Sequence, residues 1–273
     1  MYPEQRRAFL VYTLMVTSLF AGAFRLQNPQ PTDLAFIPEP IRVDRATVPM
    51  VNLPDFAAIR ETDTRKQVFF DFLQPYVDAK NLEVKRQRQL LLGLIEKMRA
   101  GYVLDIAEMV FLQQLSEEYE VPTDDLDDQS FLQLLLRRVD VIPPSLVLAQ
   151  AANESAWGTS RFAQEGYNLF GQWCYERGCG IVPDRRRPSA RHEVKSFGSV
   201  QDAVDAYFQN LNTFPSYQQL RLIRQDLRQN EKPIDGMSLS EGLGDYSERG
   251  GAYIDELRRL IKHNNLQRRD RTL

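Results

Sequence analysis

The chain has 273 residues, 43% of them hydrophobic and 26% charged, a balance that fits a folded protein and excludes a disordered one. A formal net charge of −3 gives no broad electrostatic case for nucleic acid as a partner. Two basic runs, Arg185-Arg186-Arg187 and Arg268, Arg269 and Arg271, read as a solvated loop and a solvated tail.

In chain order, Arg6 and Arg7 come first, ahead of an apolar stretch from Ala8 to Phe24. A positive flank before such a run is what export machinery reads, and Ala21-Gly22-Ala23 fits a small-residue cleavage site. The stretch is also close to the ~17–25 residues that span a bilayer. Residues 1–24 are therefore expected to be a signal peptide or a membrane anchor, with membrane contact through residues 8–24. The rest would lie in the periplasm or cell envelope. Lack of a polar face argues against a buried core helix.

Residues 25–61 are proline-rich and unpatterned, the texture of an extended linker. From Thr62 to Asp140 apolar residues recur at helical intervals, and Pro75 is placed to bend or break the first helix. "VLDIAEMVFLQQLSEEY" and "DDQSFLQLLLRRV" predict two further amphipathic helices. Acidic Asp124–Asp128 lies at the start of the second, where negative charge suits the helix dipole.

Pro143-Pro144 predicts the start of the next helix and Gly158 its stop. Between them sits "AANESAWG", a single acid, Glu154, among alanines and beside Trp157. Residues 166 to 197 mix glycine, proline, aromatics and short β-prone runs, which predicts a small hairpin or irregular lobe. Within it Cys174 and Cys179 would close a tight loop through Gly178 in an oxidising compartment; two free thiols are the alternative. Three helices follow, "SVQDAVDAYFQNLN", "YQQLRLIRQDLRQ" and "GAYIDELRRLIKHNN", the first with Ser199 as N-cap. The fold expected is mainly α with a small β lobe (α+β), with a cleft between the lobes onto which Glu154 opens. Its parts are a helical region over 62–140, a second domain over 141–265 and a basic tail over 266–273.

Partial burial against Ala151, Ala156 and Trp157 would disfavour the charged form of Glu154 and keep a proton on it. The plain alternative is an exposed acid at the end of its own helix. Two histidines, His192 and His263, lie far apart, and no phosphate-cradling glycine loop or Ser/His/Asp arrangement is present. Neither a metal nor a cofactor is expected.

"NESAWGTSRFAQEGYNLFG", with its ESxWG and NLFG elements, resembles the signature of the bacterial glucosaminidase-domain hydrolases. "WCYERGCGIVP", "RHEVKSF" and "NLNTFPSYQQLR" follow in order, and the resemblance covers Ile142 to Asn265. It implies a lysozyme-like fold that cleaves the β-1,4 bond at N-acetylglucosamine in peptidoglycan, as an endo-β-N-acetylglucosaminidase, so that glycan strands are the partner. It implies that Glu154 is the essential acid. The second acid of some members falls on Glu193, and a tyrosine before the last helix on Tyr246, with Tyr253 as competitor, since the family's Thr-Asp-Pro is missing here.

A general acid must protonate the departing oxygen while an oxocarbenium-like sugar is stabilised. A second carboxyl about 6.5–9.5 Å away would activate water for inversion, and one near 5 Å would act as nucleophile. Attack by the substrate's own acetamido group, steadied by Tyr246, is the third route. Tyr167, Phe170 and Trp173 offer faces for sugar rings, with Phe170 leaning to the core, and Asn168 can bond an acetamido group. The rival readings are a non-catalytic wall-binding scaffold, whose helical region recruits envelope proteins, and a lytic transglycosylase.

Overall fold

The computed structural model describes residues 41, 43, 48, 49, 51–123, 126–184, 186 and 190–272. The expected leader or anchor over 1–24 lies outside them, as do Arg185 and Arg187. Among the described residues no helix is long and apolar enough to cross a membrane.

The first long element is α1 (Thr62–Arg99), started by Glu61, whose carboxylate accepts from the amides of Asp63 and Thr64. Pro75 neither breaks nor ends it, contrary to expectation. The proline is exposed, so water can serve the carbonyl it orphans, while buried Leu73, Tyr76 and Val77 hold the helix from both sides. The ends of α1 serve different cores. Phe69, Phe70, Leu73 and Val77 belong to the main core, and Leu91, Leu94 and Ile95 to a smaller one. That smaller core is completed by Phe111 and Leu115 of α2 (Ile106–Glu118) and Leu135 of α3 (Asp128–Arg138). Asp105 closes a capping box on α2, and Asp127, from the acidic run, caps α3.

At the junction of the two cores, Asn81 on α1 bonds both the amide and the carbonyl of Ile142. Beside it buried Asp140 accepts from Nε and Nη2 of Arg228, while Arg88 of α1 stands 3.4 Å away and fully buried Arg224 3.8 Å away. Pro40–Leu273 is accordingly one compact unit.

Every residue of α4 (Pro144–Glu154) from Pro144 to Ala152 is buried. Around it pack α1, α9 (Gly251–His263) and a 3-10 turn over Leu266–Thr272. That turn corrects the reading of 266–273 as a solvated tail. Leu266 is fully buried, Arg269 pairs with Asp71, and Asp270 accepts from the Ser145 amide at 2.8 Å and hydroxyl at 2.7 Å. Similarly, the stretch before α1 is not all linker. Phe56 is buried and its ring fills the space that a side chain at Gly158 would need.

The remaining helices are α5 (Arg161–Gly166), α6 (Val200–Thr213), α7 (Gln218–Gln229) and α8 (Gly236–Leu239), with Ser199 capping α6 as expected. The β lobe is minimal: β1 (Trp173–Cys174), β2 (Gly180–Ile181) and β3 (Glu193–Lys195) in the order β1-β3-β2, all antiparallel. Trp173 pairs with Val194, and Gly180 with Lys195, so close that a Cβ on Gly180 would meet the Val194 carbonyl. Cys174 and Cys179 form the disulfide, one of the two alternatives the sequence leaves open. The fold is mainly α with a small β lobe, the class expected.

Candidate active site

The segment "ESAWG" folds as a tight left-handed turn at the end of α4. Ala156, Trp157 and Gly158 have φ of 50°, 61° and 76° in succession. Buried Ser155 holds them, its hydroxyl donating to the Ala151 carbonyl and accepting from the Gly158 amide. Trp157 packs edge-on against Phe69 and Phe70 of α1. Glu154, the last residue of α4, is thereby fixed on a rigid support.

Its two oxygens differ. Oε1 accepts a hydrogen bond from the Tyr253 hydroxyl at 2.8 Å and a long one from Asn153 at 3.5 Å. Oε2 faces Gly171, where an added Cβ would lie only 3.3 Å away. Burial pushes the Glu154 carboxyl above its ordinary pKa, against the pull of the Tyr253 and Asn153 bonds and of Arg249, and with Glu256 adding repulsion. The negative end of α4 acts in the same direction.

Behind the acid lies a buried polar file. Gln150, one helical turn earlier, donates from Nε2 to the Tyr253 oxygen at 2.9 Å and accepts at Oε1 from the hydroxyl of Tyr207 on α6. Burial drives the Tyr207 and Tyr253 pKa values far up, so both hydroxyls keep their protons. Tyr246 stacks on Tyr253 with ring centres 5.6 Å apart, and its hydroxyl donates to the Phe170 carbonyl at 2.7 Å. Between the two expected tyrosines, then, Tyr253 touches the acid, and Tyr246 ties the NLFG turn to the ring that does so.

Phe170 takes the core place expected of it, and other positions differ from expectation. Phe170 is buried and stacked on Tyr207, so its ring presents no face to a ligand. Asn168 is also buried, and all its amide capacity is used. Nδ2 donates to the carbonyls of Gln172 and Lys195, and Oδ1 accepts from the amides of Phe170 and Gln172. Its expected bond to an acetamido group is therefore corrected to a structural one that ties the NLFG turn to β3. Glu193 is buried, and its carboxylate accepts from the Gly178 amide at 3.1 Å and the Gly180 amide at 3.0 Å. Those amides, with Arg186 and Arg177 nearby, hold its pKa below the carboxylate range. It braces the disulfide loop.

Tyr167 caps α5 in a left-handed conformation and reaches Asn52 at 3.4 Å. Trp173 is 57% exposed and lies flat on His192, ring centres 4.2 Å apart. A hollow of about 550 Å³ is lined by Lys66, Asn153, Trp157, Glu256, Arg259 and His263, and Glu154 is not part of its lining. Among the described residues no group of three or more His, Cys, Asp or Glu side chains could hold a metal ion.

Residues 130–266 match the glucosaminidase family, described as mannosyl-glycoprotein endo-beta-N-acetylglucosaminidase. The chain is 32% identical over 213 residues to Protein bax of Escherichia coli (strain K12), covering 78% of this chain and 74% of that one. It also resembles two solved structures. One is a peptidoglycan hydrolase from Sphingomonas sp. A1, with 23% identity, TM-score 0.34 and coverage of 58% of this chain and 85% of that one. The other is the catalytic domain of the autolysin Auto from Listeria monocytogenes, with 20% identity, TM-score 0.37 and coverage of 66% and 96%.

Proposed function

Since this chain belongs to the glucosaminidase family, we propose that it is an exported peptidoglycan hydrolase that cleaves the β-1,4 bond at N-acetylglucosamine. Peptidoglycan as substrate, and the cell envelope as its place of action, follow from the motif resemblance. Glu154 is the general acid of this reading, handing its proton to the departing glycosidic oxygen as positive charge develops on the sugar.

The observation that carries it is the asymmetric carboxyl. One oxygen is held by Tyr253 and the other lies against a residue without a side chain, on a group whose burial favours the protonated form. Trp173, backed by His192, is the proposed stacking surface for a sugar ring.

Digestion of purified sacculi, read by chromatography and mass spectrometry, tests the reading. The wild type releases fragments ending in a reducing N-acetylglucosamine. Glu154→Gln keeps its melting temperature and loses about 10²–10⁴-fold in release, the typical worth of a general acid. Release at the wild-type rate by Glu154→Gln rejects the acid. Activity requires the protonated carboxyl, so it persists above the pH at which an ordinary glutamate ionises. It declines as pH rises through the raised pKa.

The commitment of Glu193 to loop amides favours a second reading, in which Glu154 acts without another carboxylate. Attack by the substrate's own acetamido group still consumes water, whereas a transglycosylase releases an anhydro-sugar. Product mass separates the two.

A further inference from the structure

We propose that buried Gln150 and Tyr207 are positioning residues that dictate which oxygen of Glu154 carries the catalytic proton. The inference deepens the hydrolase reading and rests on Glu154 being its acid.

Tyr207 is fully buried on α6, stacked on Phe170, and the acceptor of its hydroxyl hydrogen is Gln150 Oε1. A buried hydroxyl left without an acceptor is costly, so Tyr207 fixes the orientation of the Gln150 amide. With Oε1 turned to Tyr207, Nε2 must point at Tyr253 and donate to its oxygen. An amide nitrogen has no lone pair to offer. The Tyr253 hydrogen therefore cannot go to Gln150 and goes to Glu154 Oε1. Each bond sets the direction of the next, and the file ends on Oε1 as a permanent acceptor. The acidic proton is left to Oε2, the oxygen beside Gly171.

Without the Tyr207 hydrogen, the amide is free to turn over and accept from Tyr253. Glu154 then loses its donor, and its own proton is drawn to Oε1 and locked against the Tyr253 oxygen, away from any substrate. The carboxylate also loses stabilisation, so the carboxyl ionises at a higher pH. The other groups whose charge or dipole reaches Glu154 are Asn153 beside it, Arg249 just before α9, Glu256 on α9, and Tyr246 and Tyr217. None of them contacts Gln150 through a hydrogen bond, so they stay as they are in the variants below.

The experiment compares Tyr207→Phe, Gln150→Met and the double variant, all of similar shape to the wild type. Rates on sacculi are followed against pH. Separately, Glu154 is titrated by carboxyl carbon NMR, its signal assigned by loss in Glu154→Gln. Tyr207→Phe is expected to lower kcat about three- to tenfold. The basic limb of the profile and the carboxyl titration should both rise by about half to one pH unit. Gln150→Met leaves no amide to accept from Tyr253, so the Tyr253 hydroxyl keeps donating to Glu154 and the limb should stay near wild type. The double variant should follow Gln150→Met rather than Tyr207→Phe, because the shift in Tyr207→Phe acts through the turned amide. A purely structural role predicts a lower melting temperature with an unmoved limb in Tyr207→Phe and separable losses. Wild-type limb and titration in Tyr207→Phe overturn the inference. If the wild type cleaves no glycan, the hydrolase reading fails on its own, and the carboxyl titration still decides the direction of the file.

Discussion

Glu193 and Asn168 carry side chains suited to chemistry, and both are absorbed by backbone. The Gly178 and Gly180 amides depress the folded pKa of Glu193 below its unfolded value. A depressed carboxylate adds stability that is complete above the unfolded pKa and is lost as pH falls through the folded one. Glu193→Gln is thus expected to melt below the wild type at neutral pH, with the gap closing as pH falls below about 4. Melting curves across pH check this; a gap that persists in acid would mean that packing, not charge, is what the substitution removes. The partly buried setting of Glu154 was legible in the sequence, from a lone carboxyl among alanines and a tryptophan. Gln150 carries a similar signal, an amide set among apolar residues in "LVLAQAA". The partners of Asn168 and Glu193 were not legible, because they are backbone amides and carbonyls, which no side-chain pattern reveals.

Among elements, α4 decides the site, and it is held at both ends. Its C-terminal end carries Glu154 on the Ser155 turn; its N-terminal end begins with prolines that offer no side-chain cap. Asp270 takes that role from a distance, bonding the Ser145 amide and hydroxyl and placing negative charge at the positive end of the helix. Asp270→Ala is expected to cost about 1–2 kcal/mol of stability, the usual worth of an N-cap. Thermal or urea unfolding measures it, and an unchanged midpoint would show that Asp270 is a bystander. Helix positions were legible from periodicity and caps such as Ser199. The docked segment over 266–272 was not, because Asp270 stands among arginines and reads as part of a solvated run.

For the whole molecule, α1 supplies a wall to both cores, so the helical region and the domain after it are folded as one body. A fragment spanning 141–273 would expose the faces that Phe69, Phe70, Leu73 and Val77 cover. It would also leave fully buried Arg224 without Asp140 as its counter-charge. Stranding a buried cation costs about 3–5 kcal/mol, a large part of an ordinary folding free energy. The fragment is expected to lack a cooperative melting transition, whereas a piece spanning 51–273 should melt as the full chain does. Calorimetry on the two distinguishes them, and a cooperative transition in the shorter piece would mark α1 as an accessory. Two regions were the natural reading of the sequence, since motif-bearing residues begin only at Ile142. What joins them, Asn81 and the arginines around Asp140, acts across distant stretches of chain and leaves no local pattern.

The clasp of Asp270 on Ser145 also imposes an order in time. A ribosome makes the two residues 125 positions apart, so the acid-bearing helix is exposed long before its brace exists. A wall-cutting enzyme of the kind proposed would, by this arrangement, remain unfinished as a cutting tool until Asp270 has been made.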